Sequence, residues 1–277
     1  MNNTMFGFES IVWFKENGNP WIEETPQMVN RGFLFGDGLF ETMAFLRGKI
    51  RFSEMHWERL TEGCGTLGLD GSTLTSIPEL EKRLAEKFGT VTDLRIRWNV
   101  FRNGLGKYTP ETDMISEILQ IQAFALPVKI KKNGYISDSI QVPFSPWSHC
   151  KTLNALTYVM ANRERRQKEM DEVILLSTDG FVSEAGAANV FWLKNHRFYT
   201  PSLACGGIAG VARKIILNKL NALQIPIVVD AFRPEAILEA DKVFTSNVTG
   251  ISYLERIGDS VFEVSPIDFL ESLFGQP

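Results

Sequence analysis

The sequence contains few of the residues that build disulfide frameworks and metal centres. It has three cysteines and three histidines in 277 residues. The histidines form neither an HExxH motif nor a pair with a cysteine, so no metal site is expected. The cysteines are odd in number and widely spaced, which argues against a disulfide framework and favours ordinary reduced thiols at Cys64, Cys150 and Cys205.

Blocks of one charge and long apolar runs are also missing. The formal net charge is −4, from 29 basic and 33 acidic residues that are interspersed along the chain. No basic patch for a nucleic acid or an anionic membrane is expected, so the predicted partner is a small molecule. There is no apolar run of about 18 residues, and the first residues lack the basic-then-apolar order of a signal peptide. These features predict a cytoplasmic protein without a membrane span.

The apolar content, 44%, is sufficient for two ordinary domains. Alternating and helical apolar patterns follow one another through the chain, and they predict an α+β protein. A short Ala-Leu-Pro-Val connector predicts an interdomain linker at 124–129, between a small N-terminal domain, 1–123, and a larger C-terminal domain, 130–277. The predicted helices begin at Ser53, Ser76, Asn154 and Val211; the predicted strands are 11–14, 40–46, 94–100, 119–123, 173–176, 190–193, 198–200 and 243–245.

Lys151 is the first candidate for chemistry. It lies in SPWSHCKTLN (145–154), at the junction between an irregular segment and a helix, in the least charged stretch of this half. A partly buried lysine has a lowered pKa and can attack an aldehyde as a neutral amine. An ordinary surface lysine beside a helix start fits the same pattern.

Two further segments favour a phosphorylated ring as ligand. CGGIAGVAR (205–213) is a flexible loop entering a helix, where backbone N–H groups can converge on a phosphate; a plain glycine turn is the alternative. SEAGAANVF (183–191) places Glu184 among small residues before a strand, where it could keep a pyridine nitrogen protonated or be a solvated turn residue. GCGTLG (63–68) matches GxGxxG, but it ends a helical pattern and does not predict a dinucleotide site.

Together these segments resemble the class IV aminotransferases, the fold type IV enzymes that bind pyridoxal 5′-phosphate. The resemblance spans 30–254, and the family includes branched-chain aminotransferases, D-amino acid aminotransferases and 4-amino-4-deoxychorismate lyases. It implies a two-domain α+β fold with the cofactor at the domain interface, and a homodimer in which neighbouring subunits complete the substrate pocket. The matching segments, in order, are NRGFLFGDGLFET (30–42), HWERL (56–60), KTLN (151–154), Glu184 with NVF (189–191), and the glycine loop.

The resemblance also implies roles for single residues. Lys151 would be the Schiff-base lysine and the proton shuttle at the substrate α-carbon, and Glu184 would pair with the pyridine nitrogen. Arg59 would hold the phosphate together with the backbone N–H groups of Val211 and Ala212. Many relatives carry a hydroxyl residue where Ala212 stands, so the cradle would depend more on backbone groups. The remaining cofactor contacts fall on Asn189, Ile208 against the ring face, Ser246 and Asn247.

The substrate is expected to be recognised by the N-terminal domain. The loop FRNGLGKYTP (101–110) offers Arg102, Lys107 and Tyr108 as carboxylate ligands, although a solvated basic loop fits equally. The Arg-x-His pattern of D-amino acid aminotransferases is absent from this loop, and Phe40 replaces their tyrosine. A small amino-acid-like substrate of the D series is therefore disfavoured.

Two reactions are nearly level by resemblance. Transamination between a small L-amino acid of the branched-chain type and a 2-oxo acid is narrowly favoured by Phe40-Glu41. The lyase that releases pyruvate and 4-aminobenzoate resembles this chain in AANVFW (187–192), in the 102–108 loop and in Ser246-Asn247. A family member that retains the fold without catalysis is a third hypothesis, and the joint presence of Lys151, Glu184 and Arg59 argues against it.

Overall fold

The chain folds into two compact units. The computed structural model describes residues 11–23 and 29–275. The first unit runs to Ala125 and includes Cys150–Asn154, whereas the second comprises Leu126–His149 and Ala155–Gly275. The division after Ala125 falls within the segment 124–129 that the sequence analysis assigns to the linker. The segment that carries Lys151 is expected in the C-terminal domain, but it groups with the first unit.

Within residues 11–23 and 29–125, the first unit contains one antiparallel sheet and three α-helices. Its strand order is β1-β5-β4-β2-β3, with every pairing antiparallel. The elements are β1 (Ile11–Glu16), α1 (Arg31–Phe35), β2 (Gly38–Leu46), β3 (Lys49–Ile50), α2 (Ser53–Leu67), α3 (Ile77–Phe88), β4 (Leu94–Arg102) and β5 (Ile115–Ala123).

Alternation along β4 determines which face of this sheet is covered. Leu94, Ile96, Trp98 and Val100 are buried in one core with residues of α2 and α3, whereas Arg95, Arg97 and Asn99 point to the opposite face and are partly exposed. The two helices have local stop signals, since α2 ends at Gly68 and α3 at Gly89, both with positive φ. The predictions of one-sided antiparallel strands and of both helices are confirmed.

The second unit contains two mixed sheets and four helices. Their strand orders are β12-β11-β10-β13-β14-β6 and β16-β15-β7-β8-β9. The elements are β6 (Ile130–Lys131), β7 (Gly134–Val142), α4 (Leu156–Gln167), β8 (Glu172–Ser177), β9 (Val182–Ala185), β10 (Asn189–Lys194), β11 (Arg197–Pro201), α5 (Val211–Ala222), β12 (Ile227–Asp230), α6 (Pro234–Leu238), β13 (Lys242–Asn247), β14 (Gly250–Leu254), β15 (Arg256–Ile257), β16 (Ser260–Val261) and α7 (Asp268–Glu271).

The predicted elements of the second unit are present, and several strands were not predicted. The longest of these is β7, whose pairing with β8 is interrupted by a register shift between Ile136 and Gln141. Such an irregularity breaks the two-residue alternation by which a strand is recognised in a sequence. Among the helices of the described residues, none combines the length and the apolarity needed to cross a bilayer.

Candidate active site

Lys151 is attached to the beginning of β2. The Phe40 N–H donates to the Lys151 carbonyl at 2.8 Å, and the Leu153 N–H donates to the Gly38 carbonyl at 2.9 Å. These two backbone bonds explain why this short segment groups with the first unit. The Lys151 Nζ lies 4.4 Å from the centre of the Phe40 ring, within the range of a cation–π attraction. The backbone therefore fixes the lysine beside an aromatic face.

The Gly36-Asp37-Gly38 motif makes this attachment possible. Gly36 ends α1 in the left-handed region, with φ of 65°, where glycine has no steric penalty. A Cβ on Gly38 would lie 2.4 Å from the Val100 carbonyl oxygen, so only glycine permits the observed approach of β2 to β4. Both glycines of the motif are thus required by the backbone that carries Phe40.

Arg97 is a candidate that the sequence analysis did not identify. Its guanidinium carbon lies 3.7 Å from the centre of the Phe40 ring, so this ring contacts two cationic side chains. The Arg97 Nε donates to the Asn99 Oδ1 at 2.9 Å. Burial lowers the Arg97 pKa, and the charge of Arg95 lowers it further. The sequence did hold a signal, because the alternation of β4 places Arg97 on the face away from the apolar core.

Arg59 lies in a buried charged cluster with Glu41 and His56. The Arg59 Nε and Nη2 donate to the two Glu41 carboxylate oxygens at 2.7 and 2.5 Å, and the His56 Nδ1 lies 2.6 Å from Oε2. Burial raises the Glu41 pKa, but the charges of Arg59 and His56 outweigh it and lower that pKa to about 2. Burial lowers the His56 pKa, which favours a neutral imidazole. The cluster holds the Arg59 guanidinium in a fixed orientation.

Arg102 is bound within the protein and does not have the expected role of a substrate ligand. The side chain is only 6% exposed, and its Nε donates to Asp37. Its Nη1 donates to the Gly68 carbonyl and to Asp113, and its Nη2 donates to the Leu67 carbonyl at 2.7 Å. All three guanidinium nitrogens therefore bind protein acceptors, and a carboxylate ligand would have to displace them. We exclude Arg102 from the proposed substrate site for this reason.

Lys107 and Tyr108 lie on an exposed loop. Arg31 fixes this loop, because its Nη1 donates to the carbonyls of Leu105 and Lys107 at 2.7 and 2.8 Å. Tyr108 is 91% exposed, with its ring centre 5.8 Å from that of Phe35. The loop is positioned by its backbone, and both side chains remain candidates for contact with substrate.

In the second unit, Glu184 is a buried carboxylate. It is 3% exposed, and Tyr158 donates its hydroxyl to the Glu184 Oε1 at 2.5 Å. The Ile208 N–H also donates to Glu184, at 3.3 Å from each oxygen. A carboxylate can accept up to about four hydrogen bonds, so these contacts are compatible with a ring nitrogen as a further donor.

The glycine loop is tied to the strand that follows Glu184. The Asn189 Nδ2 donates to the Ile208 carbonyl at 2.9 Å. A Cβ on Gly210 would lie 1.8 Å from the Asn189 Oδ1, so glycine is the residue that fits before α5. Gly210 is the N-cap of this helix, and Val211 and Ala212 form its buried first turn.

Ser246 and Asn247 end a neighbouring strand. Ser246 pairs with Asn189 across β13 and β10, and α5 packs against β13. Among the described residues, the Ser246 Oγ is buried without a hydrogen-bond partner. The Asn247 Oδ1 accepts from Thr249, and its Nδ2 donates to the Ala187 carbonyl at 3.4 Å. Thus, the structure brings together all seven candidates of the second unit.

This group of residues fits a phosphorylated pyridine. The first turn of α5 presents backbone N–H groups at the positive end of a helix dipole, and the buried Ser246 hydroxyl requires an acceptor. Glu184 supplies the acceptor that a protonated ring nitrogen needs. A metal site is not indicated: within 11–23 and 29–275, no group of three or more His, Cys, Asp or Glu residues could hold an ion.

Comparisons with known proteins point to one family. A family model for amino-transferase class IV matches residues 38–253. The aminodeoxychorismate lyase of Bacillus subtilis (strain 168) is 26% identical over 266 residues, covering 91% of this chain and 85% of that protein. The D-alanine aminotransferase of Bacillus licheniformis is 27% identical over 235 residues, covering 79% of this chain and 78% of that protein.

A solved structure establishes the fold. The branched-chain aminotransferase from Thermoproteus uzoniensis, crystallised with norvaline, superposes with a TM-score of 0.82 at 22% identity. The superposition covers 95% of this chain and 93% of that one. The two-domain α+β fold that the sequence analysis predicts is therefore confirmed as fold type IV.

Proposed function

Since this chain belongs to the class IV aminotransferase family, it is an enzyme that uses pyridoxal 5′-phosphate, and we propose that Lys151 binds this cofactor covalently. The arrangement in the second unit carries the proposal. A buried carboxylate, a glycine-capped helix N-terminus and a buried hydroxyl lie together there, and they match the ring nitrogen and the phosphate of this cofactor. The proposed cofactor residues are Arg59, Lys151, Glu184, Asn189, Ile208, Val211, Ala212, Ser246 and Asn247.

The side chains have separable tasks in this proposal. Pyridoxal 5′-phosphate, when bound, withdraws electrons from the substrate α-carbon and so weakens the bonds to that carbon. Glu184 holds a proton at the ring nitrogen, because an ionised carboxylate stabilises the charge there. The Lys151 Nζ moves a proton to and from the substrate α-carbon. Phe40 covers Nζ with an apolar face and excludes water from one side of it.

We favour the aminodeoxychorismate lyase reaction. The lyase of Bacillus subtilis matches 91% of this chain, more than the 79% matched by the D-alanine aminotransferase. The sequence motifs narrowly favour transamination, and we place the lyase first because of the greater extent of this match. The product pair would be pyruvate and 4-aminobenzoate.

Transamination of a small branched-chain type L-amino acid with a 2-oxo acid is the second candidate. The pairing of Phe40 with Arg97 favours it, because the ring can contact an apolar side chain and the guanidinium can bind a carboxylate. A transaminase must accept both the apolar amino acid and the 2-oxo acid in one pocket. Phe40, Arg97, Lys107 and Tyr108 are the side chains we propose for substrate binding.

One set of assays distinguishes these reactions. Purified protein loaded with cofactor is given aminodeoxychorismate in one arm, and leucine, valine or isoleucine with 2-oxoglutarate in another. A third arm contains D-alanine with 2-oxoglutarate, because a D-alanine aminotransferase is also similar to this chain. Activity only in the first arm, with release of pyruvate and 4-aminobenzoate, supports the lyase reaction. Activity only in an amino-acid arm overturns the lyase assignment. Inactivity in all three arms would support a non-catalytic role.

The attachment point has its own test. Borohydride reduction of the loaded protein, followed by peptide mass spectrometry, is expected to find the cofactor on the peptide that contains Lys151. Lys151→Ala should abolish this adduct and the visible absorbance band of the loaded protein. Lys107→Ala is the matched control, since this lysine lies in the first unit on an exposed loop. An adduct that persists in Lys151→Ala would refute the assignment.

The oligomeric state remains a prediction from the family resemblance. We expect a homodimer, which light scattering of the purified protein would measure. A monomer with full activity would contradict the proposal that neighbouring subunits complete the substrate pocket.

A further inference from the structure

Tyr158 is a side chain to which neither the sequence motifs nor the proposed reaction assigns a role. It lies on the first turn of α4 and donates its hydroxyl to Glu184 at 2.5 Å. It packs beside the small core cluster of Val142, Ala161, Val173 and Leu175. A tyrosine that only filled space at this position would not need its hydroxyl.

Helix α4 holds the Glu184 strand end at two points. Tyr158 and Asn162 are four residues apart and therefore lie on one face of the helix. The Asn162 Nδ2 donates to the Gly186 carbonyl at 2.7 Å, two residues beyond Glu184. The hydroxyl of Tyr158 is thus aimed at the carboxylate by a fixed backbone.

Burial alone would make Glu184 a poor partner for a protonated ring. The carboxylate is 3% exposed, and Val182 and Ala185 of its strand are fully buried. In such surroundings a carboxyl group is driven toward its neutral form, in which it cannot stabilise a positive ring nitrogen. Hydrogen bonds to the ionised form oppose this tendency. Of the hydrogen bonds described for Glu184, the one from Tyr158 is the shortest.

Tyr158 itself remains protonated and therefore remains a donor. Burial, the charge of Glu184 and the hydrogen bond between them raise the Tyr158 pKa above its ordinary value. The proton consequently stays on the phenol, and Tyr158 remains the donor in its hydrogen bond to Glu184. The pair has one defined direction of donation.

We propose that Tyr158 is a positioning residue that keeps Glu184 ionised and thereby holds the proton on the cofactor's ring nitrogen. The inference rests on the proposed function, since it concerns Glu184 in its role toward pyridoxal 5′-phosphate. Without the Tyr158 hydroxyl, Glu184 is more basic and takes more of this proton. The ring then carries less positive charge and repels a proton on the Lys151 nitrogen less strongly.

The test is a spectroscopic pH titration of the cofactor-loaded Tyr158→Phe variant. The Lys151 nitrogen of this variant should lose its proton at a pH about one unit higher than in the wild type. The free energy of one hydrogen bond to a charged group corresponds to a shift of about one pKa unit. The maximal rate should fall about tenfold with a smaller change in KM, since the ring withdraws electrons less well. Phenylalanine keeps the ring packed against the cluster, so the fold is preserved.

Tyr135→Phe is the matched control. Tyr135 packs against the same core cluster and donates to Glu164 at 3.0 Å, so the variant loses an equivalent bond to a different carboxylate. Its titration should match the wild type. A second control uses a cofactor analogue with carbon in place of the ring nitrogen, with which the wild type and Tyr158→Phe should titrate alike.

Two failures can be told apart. If the wild type forms no visible band with pyridoxal 5′-phosphate, the proposed function fails and the inference about Tyr158 falls with it. If the wild type loads normally and Tyr158→Phe titrates like Tyr135→Phe, the inference about Tyr158 is overturned and the proposed function stands. A shift that persists with the carbon analogue would also overturn it, because the effect would not pass through the ring nitrogen.

Discussion

Buried and partly buried carboxylates organise the first unit at the scale of single residues. Three of those in the described residues are each bound by at least two other side chains, and each pairing fixes a strand or helix in place. Because a buried charge is costly without partners, these pairs specify where the partners must lie. The three groups are Asp37 with Arg31 and Arg102, Glu41 with His56 and Arg59, and Glu117 with Lys15 and Trp98.

Asp37→Asn should strongly destabilise the first unit. Asp37 accepts from Arg31 at 2.7 Å and from Arg102 at 3.1 Å, and both arginines are buried. Removing its charge leaves two buried cations without their shared anion, with an expected loss of about 3 kcal/mol in unfolding free energy. Chemical denaturation would measure this loss. Asp113→Asn is the control, since Asp113 contacts Arg102 from the surface and should cost less than about 1 kcal/mol.

Glu41 should make the protein sensitive to acid. Its pKa in the folded chain is about 2, below the ordinary value of 4.5. The stabilisation is therefore present above the ordinary pKa and is lost as the pH falls from about 4.5 toward 2. The unfolding free energy of Glu41→Gln should decline less than that of the wild type over this range. Glu86→Gln, which removes a surface pair with Lys82, should retain the wild-type dependence; equal slopes in all three proteins would contradict the prediction.

At the scale of elements, local signals allowed the helices to be predicted. Helix α3 begins after Ser76, whose side chain accepts from the Glu79 N–H, and it ends at Gly89. Such caps are read from neighbouring residues alone. The strand β7 escaped prediction because its register shift and its partly exposed residues hide the alternation. Strand pairing depends on residues far away in the chain, which a local pattern does not contain.

Two glycines that look alike in the sequence should respond oppositely to alanine. In Gly38→Ala, the new methyl group would lie 2.4 Å from the Val100 carbonyl oxygen, and about 1–3 kcal/mol should be lost as β2 and β4 separate. Gly65 lies within α2, and apart from the adjacent helix backbone no atom of the described residues lies within 4 Å of the position of a Cβ, so Gly65→Ala should stabilise by about 0.5–1 kcal/mol. Thermal or denaturant unfolding of both variants measures the contrast. A stable Gly38→Ala protein would refute the close approach.

At the scale of the whole molecule, ligand binding should be visible as stability. Any ligand that binds the folded chain alone raises its unfolding free energy, by about 2.7 kcal/mol at a hundredfold excess over Kd. Pyridoxal 5′-phosphate should therefore raise the Tm of the wild type. The increase should be smaller in Lys151→Ala, which can bind the cofactor without a covalent bond. Equal increases in both proteins would argue against attachment at Lys151.

The amino-acid sequence by itself determined the family, the main helices and the principal candidates Lys151 and Glu184, because each lies within a short motif of neighbouring residues. Only the tertiary structure showed that Arg102 is held within the protein, that Arg97 contacts Phe40, and that Tyr158 binds Glu184. These pairs join positions 65, 57 and 26 residues apart for Arg102 with Asp37, Arg97 with Phe40, and Tyr158 with Glu184. Contacts of this kind arise from strand register and helix packing, so the burial and charge of a side chain are decided by residues that are remote in the chain.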